Sequence, residues 1–325
     1  MTYVIALQII IGDGKGMIII KIAGGLGNQM QQYSLYRKLL ELGKEVKLDL
    51  SWFTPEIQEK MLARREFELP LFVDLPYEVC TDQERDLFLK QSIAGKVTGK
   101  VLKKLGKQDS ANPKVFVEKE MFHPEIFEMD DKYVEGYFAC QKYYGDIMPG
   151  LRKLFVFPEH SVKELHQRNM HFVAKMEQEN SVSVHIRRGD YLAPENIGIL
   201  GNIATSEYYD SAMKYFEDKY PDVHFYIFTS DYEYAREHYS DESKYTIIDW
   251  NTGKDSIQDL MLMSHCKGNV CANSTFSFWG ARLNKRSDNE VIRTFTMRNN
   301  QHCEPDIMHD YWKGWILMDN KGNIV

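Results

Sequence analysis

SVSVHIRRGDY, residues 181–191, holds two signals in eleven letters. Val182, Val184 and Ile186 alternate with Ser181, Ser183 and His185, the period of a strand with one buried face. The alternation runs into Arg187, Arg188, Gly189 and Asp190, which points to an anion site at the C-terminal edge of a sheet. On a strand the two arginines face opposite ways. One can brace the loop through a carboxylate while the other meets a ligand with its fork of donors. Arg188-Gly189-Asp190 also spells a cell-adhesion tripeptide, a reading that needs an exposed extracellular loop, and nothing in the sequence supplies one.

Working outward, the same pattern of strand, polar turn and helix repeats. A helix over about 159–179 precedes this strand and a helix over 206–219 follows it. A strand at 223–229 ends in Ser230-Asp231, with a helix at 232–239. A strand at 245–249 leads to a helix at 255–266, whose Ile257, Leu260, Met261 and Ser264 share one face. A strand at 268–272 runs into Asn273-Ser274-Thr275 and a helix at 276–284, and residues 290–295 read as another strand. Alternating β and α segments of these lengths predict a parallel, doubly wound sheet. His185 to Asp190, Ser230-Asp231 and Asn273 to Ser277 then meet at one edge, where such sheets bind ligands. Hydroxyls, free N–H groups and the positive end of a helix dipole at Ser274-Thr275 would suit a phosphate. Asn273-Ser274-Thr275 is also a glycosylation sequon, although it abuts a predicted core helix.

The first half opens with a strand at 18–23, the loop GGLGNQM at 24–30, a helix from about 31 to Gly43 and a strand at 44–50. The glycine spacing is not that of a dinucleotide fingerprint. Residues 51–135 are less regular. The charged segment 80–108 reads as helical, and its basic run at 96–107 is a solvated face or a contact with an anionic membrane surface. Residues 1–16 read as an upstream extension, with folding from Met17. The expected division is a first Rossmann-like domain over 17–150 and a second over 151–325.

Composition sets outer limits. The chain has 325 residues, 43% of them hydrophobic and 27% charged, values that suit a globular protein of two domains. A net charge of −7 argues against general nucleic-acid binding. The five cysteines form no C-x-x-C pair and no zinc spacing, which favours reduced thiols in a cytoplasmic protein. No segment is long and apolar enough to span a bilayer. The sequence has no Asp-x-Asp triplet, a common metal–diphosphate arrangement.

GGLGNQM at 24–30, HIRRGDY at 185–191 and LMSHCKGNVCANSTFSFWGARL at 262–283 together resemble glycosyltransferase family 11, and its bacterial α-1,2-fucosyltransferases in particular. The resemblance implies an α/β, GT-B-like architecture, two Rossmann-like domains facing a cleft, with the nucleotide mainly on the second. It implies inverting transfer of fucose from GDP-fucose, without a metal or other cofactor, to the 2-hydroxyl of a galactose-terminated oligosaccharide or lipid-linked glycan. A cytoplasmic enzyme follows, with peripheral contact at the inner membrane left open. Neighbouring readings are another GDP-sugar, a non-galactose acceptor, or a nucleotide-sugar-binding protein without activity. Gln31 stands where the family usually has an aromatic, and Phe278, Arg282 and Tyr232 also depart from its pattern.

Under that resemblance Arg188 is the expected partner of the β-phosphate, with Arg187 beside it and Asn273, Ser274 and Thr275 assisting. His185 and Asp259 are candidates for guanine or ribose recognition, and Ser230 and Asp231 lie on the same edge. Asn28 and Gln29 face the cleft near the acceptor or the diphosphate. Asp190 is the first candidate for the catalytic base and Glu195 the second, with pairing of Asp190 to Arg187 the favoured alternative.

Overall fold

The computed structural model describes residues 16–61, 63–90, 112–119, 121–302 and 304–325. Residues 1–15 of the extension expected over 1–16, and the basic run at 96–107, lie outside them. Among the described residues ten strands form two sheets, both parallel throughout. The first has the order β2-β1-β4-β3, from β1 (Met17–Lys21), β2 (Glu45–Asp49), β3 (Val115–Val117) and β4 (Lys132–Glu135). The second has the order β10-β9-β8-β5-β6-β7, from β5 (Ser181–Ile186), β6 (His224–Thr229), β7 (Tyr245–Ile248), β8 (Gly268–Cys271), β9 (Glu290–Thr294) and β10 (Ile316–Met318). Each is a Rossmann-like half, and a cleft opens between them, the GT-B layout.

Both sheets reverse direction of growth next to their first strand. In the second, the chain builds outward through β5, β6 and β7, then crosses back to set β8 on the other side of β5. In the first, β1 separates β2 from β4 in the same way. Crevices form at such switch points, outside the carboxyl ends of the strands. The glycine loop follows β1, the two arginines follow β5 and the Asn-Ser-Thr turn follows β8, so all three motifs border a switch point.

The numbered helices are α1 (Leu26–Glu41), α2 (Asp82–Leu89), α3 (Met148–Leu154), α4 (Lys163–Gln178), α5 (Ser206–Lys219), α6 (Tyr232–His238), α7 (Ile257–Met263), α8 (Thr275–Leu283) and α9 (Pro305–Tyr311); single turns are left unnumbered. The expected helix over 80–108 is described only at α2, where Thr81 and Glu84 form a reciprocal capping box. The helix expected from 159 starts at Lys163, because the His160 ring accepts the Val162 N–H at 2.9 Å and holds the chain in a turn. Two three-residue strands, β3 and β10, and helix α9 escape a periodicity reading.

Two local expectations change. β5 is buried on both faces, not one. Val182, Val184 and Ile186 pack against α5 residues such as Tyr209 and Met213. The polar face is satisfied internally: the Ser181 hydroxyl donates to Met176 O at 2.6 Å and the Ser183 hydroxyl accepts from Asn269 at 2.6 Å. Helix α1 begins at Leu26, five residues before the expected start. Gly25, extended at the capping position, accepts the Asn28 and Gln29 N–H groups at 2.9 and 3.1 Å. Asn28 and Gln29 therefore sit in the first turn of a helix rather than in a loop.

The halves share a core. Trp279 and Leu283 of α8, with Ile257 and Leu260 of α7, pack with the buried residues of the first sheet. Trp279 stacks on Tyr144 with ring centroids 5.8 Å apart and donates its indole N–H to Gly27 O at 2.9 Å. Arg282 gives one N–H to Ala139 O at 2.7 Å and lies among the rings of Tyr144, Trp279, Trp312 and Trp315. Among the described residues no helix is long and apolar enough to cross a membrane.

Candidate active site

A cavity of about 420 Å³ lies in the cleft, within the range of roughly 300–1,000 Å³ usual for small-molecule sites. Its floor is made by two helices meeting N-terminus to N-terminus. Gly24, at φ +83°, turns the chain out of β1 with a backbone that other residues resist. At Gly27 a Cβ would lie 2.6 Å from Phe276 N, so only glycine lets α1 press on the start of α8. Thr275 seals the contact, donating its hydroxyl to Asn28 Oδ1 at 3.0 Å. The capping residues Gly25 and Ser274 make no side-chain cap. Two dipole ends thus point their N–H groups at one space, a seat for a diphosphate.

The two arginines take different places. Arg187 lines the cavity, its Nη2 2.7 Å from Asp190 Oδ1 and its guanidinium 5.1 Å from the Tyr191 ring centroid. Arg187 Nε is buried without a partner among the described residues. Arg188, the expected phosphate partner, is not in the lining. It turns to Asp231, Nε to Oδ2 3.0 Å, and lies 4.0 Å from the Tyr234 ring centroid. β5 has ended at Ile186, and the backbone of Arg188 leaves strand geometry with φ −116° and ψ −102°. The chain turns there, and the second arginine is carried away from the cavity. Asp190 holds Arg187 with one oxygen and Arg65 Nη2 with the other, at 3.3 Å. With Arg188 and Asp190 both engaged, the adhesive tripeptide is not presented as such.

The far wall carries the candidate base-recognition groups. His185 lines the cavity; burial first, and then the Arg187 charge, lowers its pKa to about 3. It is therefore a neutral imidazole, offering one donor and one acceptor. Asp259 reaches the lining from the first turn of α7. Its Oδ1 accepts from Asn251 at 2.9 Å, Asn251 accepts from Asn169 at 2.9 Å, and Asn169 accepts from the Trp250 indole at 2.6 Å. That chain fixes the carboxyl's orientation. Only an edge of Asp259 reaches the opening, and the mass of protein around it lifts its pKa to about 8 against the opposing pull of the Asn251 bond.

Of the residues singled out in the sequence, Asn28, His185, Arg187, Ser230, Asp259, Ser274 and Thr275 come together in the lining. The others support it or lie apart. Gln29 is fully buried; its amide bonds Gly24 O, Glu66 O and the Glu68 N–H at 2.9, 2.8 and 2.8 Å, pinning an irregular segment to the glycine turn. Asp231 caps α6 through the Tyr234 N–H and pairs with Arg188. Asn273 is buried and donates to Leu200 O and Met297 O, an arrangement that leaves its amide no room for a glycan. Glu195 is exposed and outside the lining. Sequence reasoning missed Arg65 and Glu68, which enter the cavity from the irregular stretch of the first half, and Asn251 and Tyr232 on the other side.

Comparison with known proteins places this architecture. Residues 115–319 match the family model described as glycosyl transferase family 11. The O-antigen biosynthesis glycosyltransferase WbnK of Escherichia coli is 28% identical over 294 residues, covering 83% of this chain and 91% of that protein. An alpha-1,2-colitosyltransferase of Escherichia coli is 28% identical over 280 residues, covering 82% of this chain and 87% of its own. Among solved structures, the fucosyltransferase NodZ from Bradyrhizobium superposes with a TM-score of 0.45 at 11% identity, covering 83% of this chain and 93% of that one.

Proposed function

The chain belongs to glycosyltransferase family 11, and on that premise we propose that it transfers fucose from GDP-fucose, with inversion, to the 2-hydroxyl of a terminal galactoside. The observation that carries this reading is the cavity floor, where two helix N-termini face one space beside the Arg187 side chain. As the bond from the anomeric carbon to GDP breaks, negative charge builds on the β-phosphate. Arg187 and the free N–H groups at the starts of α1 and α8 stabilise that charge, with no metal taking part. Asp259 and His185 meet the guanine and ribose. Arg188 and Asp231 hold the loop, and Asp190 keeps Arg187 and Arg65 oriented. The acceptor is a galactose-terminated oligosaccharide or a lipid-linked glycan, entering from the first half.

The relative named for colitose supports a second reading of the donor, since colitose is the 3-deoxy counterpart of fucose and asks for the same nucleotide seat. Titration calorimetry in EDTA with GDP-fucose, GDP-mannose and UDP-galactose, followed by transfer to a galactose-terminated oligosaccharide, tests the assignment. GDP-fucose is expected to bind without metal and to be turned over. Losing one preorganised donor costs about 3 kcal/mol, roughly a hundredfold in rate. Arg187→Ala and Arg187→Lys should each fall by about that much, because lysine cannot fork. Arg188→Ala should stay within about tenfold of the parent. The reverse order for the two arginines would overturn the phosphate assignment, and dependence on added metal would overturn the metal-free chemistry.

A further inference from the structure

Transfer to a hydroxyl needs an acceptor for its proton, and the carboxylates legible in the sequence do not fill that role. Asp190 has both oxygens committed to guanidinium groups, at 2.7 and 3.3 Å. Glu195 is exposed outside the lining. Asp259 is bound to Asn251 among Ser230, Tyr232 and Thr252, on the wall assigned to the base. Glu68 is the other carboxylate in the lining, and it comes from the first half, the side from which an acceptor would enter.

Resting on the transferase reading above, we propose that Glu68 is the catalytic base. In one step a lone pair of the acceptor hydroxyl forms the bond to the anomeric carbon. The bond from that carbon to the β-phosphate oxygen breaks, its electron pair leaves with GDP, and the hydroxyl proton passes to the Glu68 carboxylate. The geometry prepares that transfer. Residues 65–68 belong to no helix or strand, yet side-chain amides hold them firmly. Gln58 accepts the Arg65 N–H at 2.8 Å and anchors itself on Trp52 O at 2.7 Å. Gln29 accepts the Glu68 N–H and ties Glu66 O to the glycine turn. Glu68 shares the cavity lining with Leu26 and Gly27 at the start of α1. Inversion puts the acceptor hydroxyl on the face of the sugar opposite the leaving diphosphate, and its base must reach that face from the acceptor's side, here the first half that carries Glu68. Burial raises the proton affinity of Glu68, the direction a base needs; Arg65 opposes this and Glu66 adds to it.

Capping of α1 is the competing role for the same carboxylate, and Glu68→Gln separates the two. A glutamine oxygen can still accept an N–H from the start of α1 but cannot take a proton. For Glu68→Gln we expect kcat to fall at least about a hundredfold, GDP affinity by calorimetry to stay within about threefold, and the acid limb of the pH–kcat profile to disappear. Glu68→Ala should regain part of its turnover when formate is supplied as an external base. A Glu68→Gln enzyme within tenfold of the parent kcat, or one that loses GDP affinity in step with rate, would overturn the assignment while leaving the transferase reading intact. A parent protein that transfers nothing from any GDP-sugar would remove the transferase reading, and the base with it.

Discussion

Gln31 lies in α1 with no exposed surface, and neither atom of its amide finds a partner. A buried polar group left unpaired costs about 1–3 kcal/mol, so this residue holds a cost that an apolar side chain of similar size would avoid. Gln31→Leu should raise stability by about 1 kcal/mol, seen as a higher urea midpoint at unchanged slope; an unchanged or lower midpoint would mean the amide is satisfied in solution. The arginine pair shows how far single residues were legible. Strand alternation separated Arg187 from Arg188, but not which of them enters the cavity lining. That depended on where β5 stops, and a turn after the last ladder residue has no period to read. Glu68 and Arg65 were illegible for a related reason. Buried glutamines fix their segment through side-chain amides, which leave no repeating pattern in the sequence.

At the scale of elements, α7 carries Asp259 to the cavity with its pKa raised to about 8, chiefly by burial. Between about pH 4, where an unfolded aspartate ionises, and pH 8, the folded protein holds a proton that the unfolded chain has released. The native state binds more protons in that window, so this group's contribution to stability declines as pH rises through it. Asp259→Asn should flatten that part of the stability–pH curve in urea titrations; a slope identical to the parent's would show Asp259 ionised in the free protein. The same proton couples to the ligand. A guanine edge presenting two N–H donors favours the carboxylate, so GDP binding at pH 7 should release up to one proton. Calorimetry in buffers of different ionisation enthalpy would detect it. The helical period of α7 was readable in advance, because its apolar positions recur on one face. The true start of α1 was not, since a glycine at the capping position contributes no side-chain signal.

Across the whole molecule, the regular β/α alternation of the second half was legible from residue pattern alone. The sheet order was less so. β3 pairs with β4 on the side of β1 opposite β2, and a three-residue strand on an edge gives local sequence almost nothing to register. The sharing of cores was invisible for a stronger reason, because it joins residues more than a hundred positions apart. With Trp279 and Leu283 inside the core of the first half, the halves should unfold together, giving one calorimetric transition with matching calorimetric and van't Hoff enthalpies. Two resolved transitions would contradict this. Trp279→Ala should cost about 3–5 kcal/mol, read from the shift of the denaturation midpoint.

The same helix limits how such enzymes can be recombined. Exchanging residues 17–150 for the corresponding segment of another family member, to graft in a new acceptor preference, would set a foreign surface against Trp279, Leu283 and Arg282. The carbonyls of Gly27 and Ala139, which receive the Trp279 and Arg282 N–H groups, would be replaced along with the rest. A crossover that moves residues 275–283 with the first half keeps lock and key from the same parent. Chain order is therefore the wrong guide for choosing breakpoints, and the unit of packing that a swap must carry over is discontinuous.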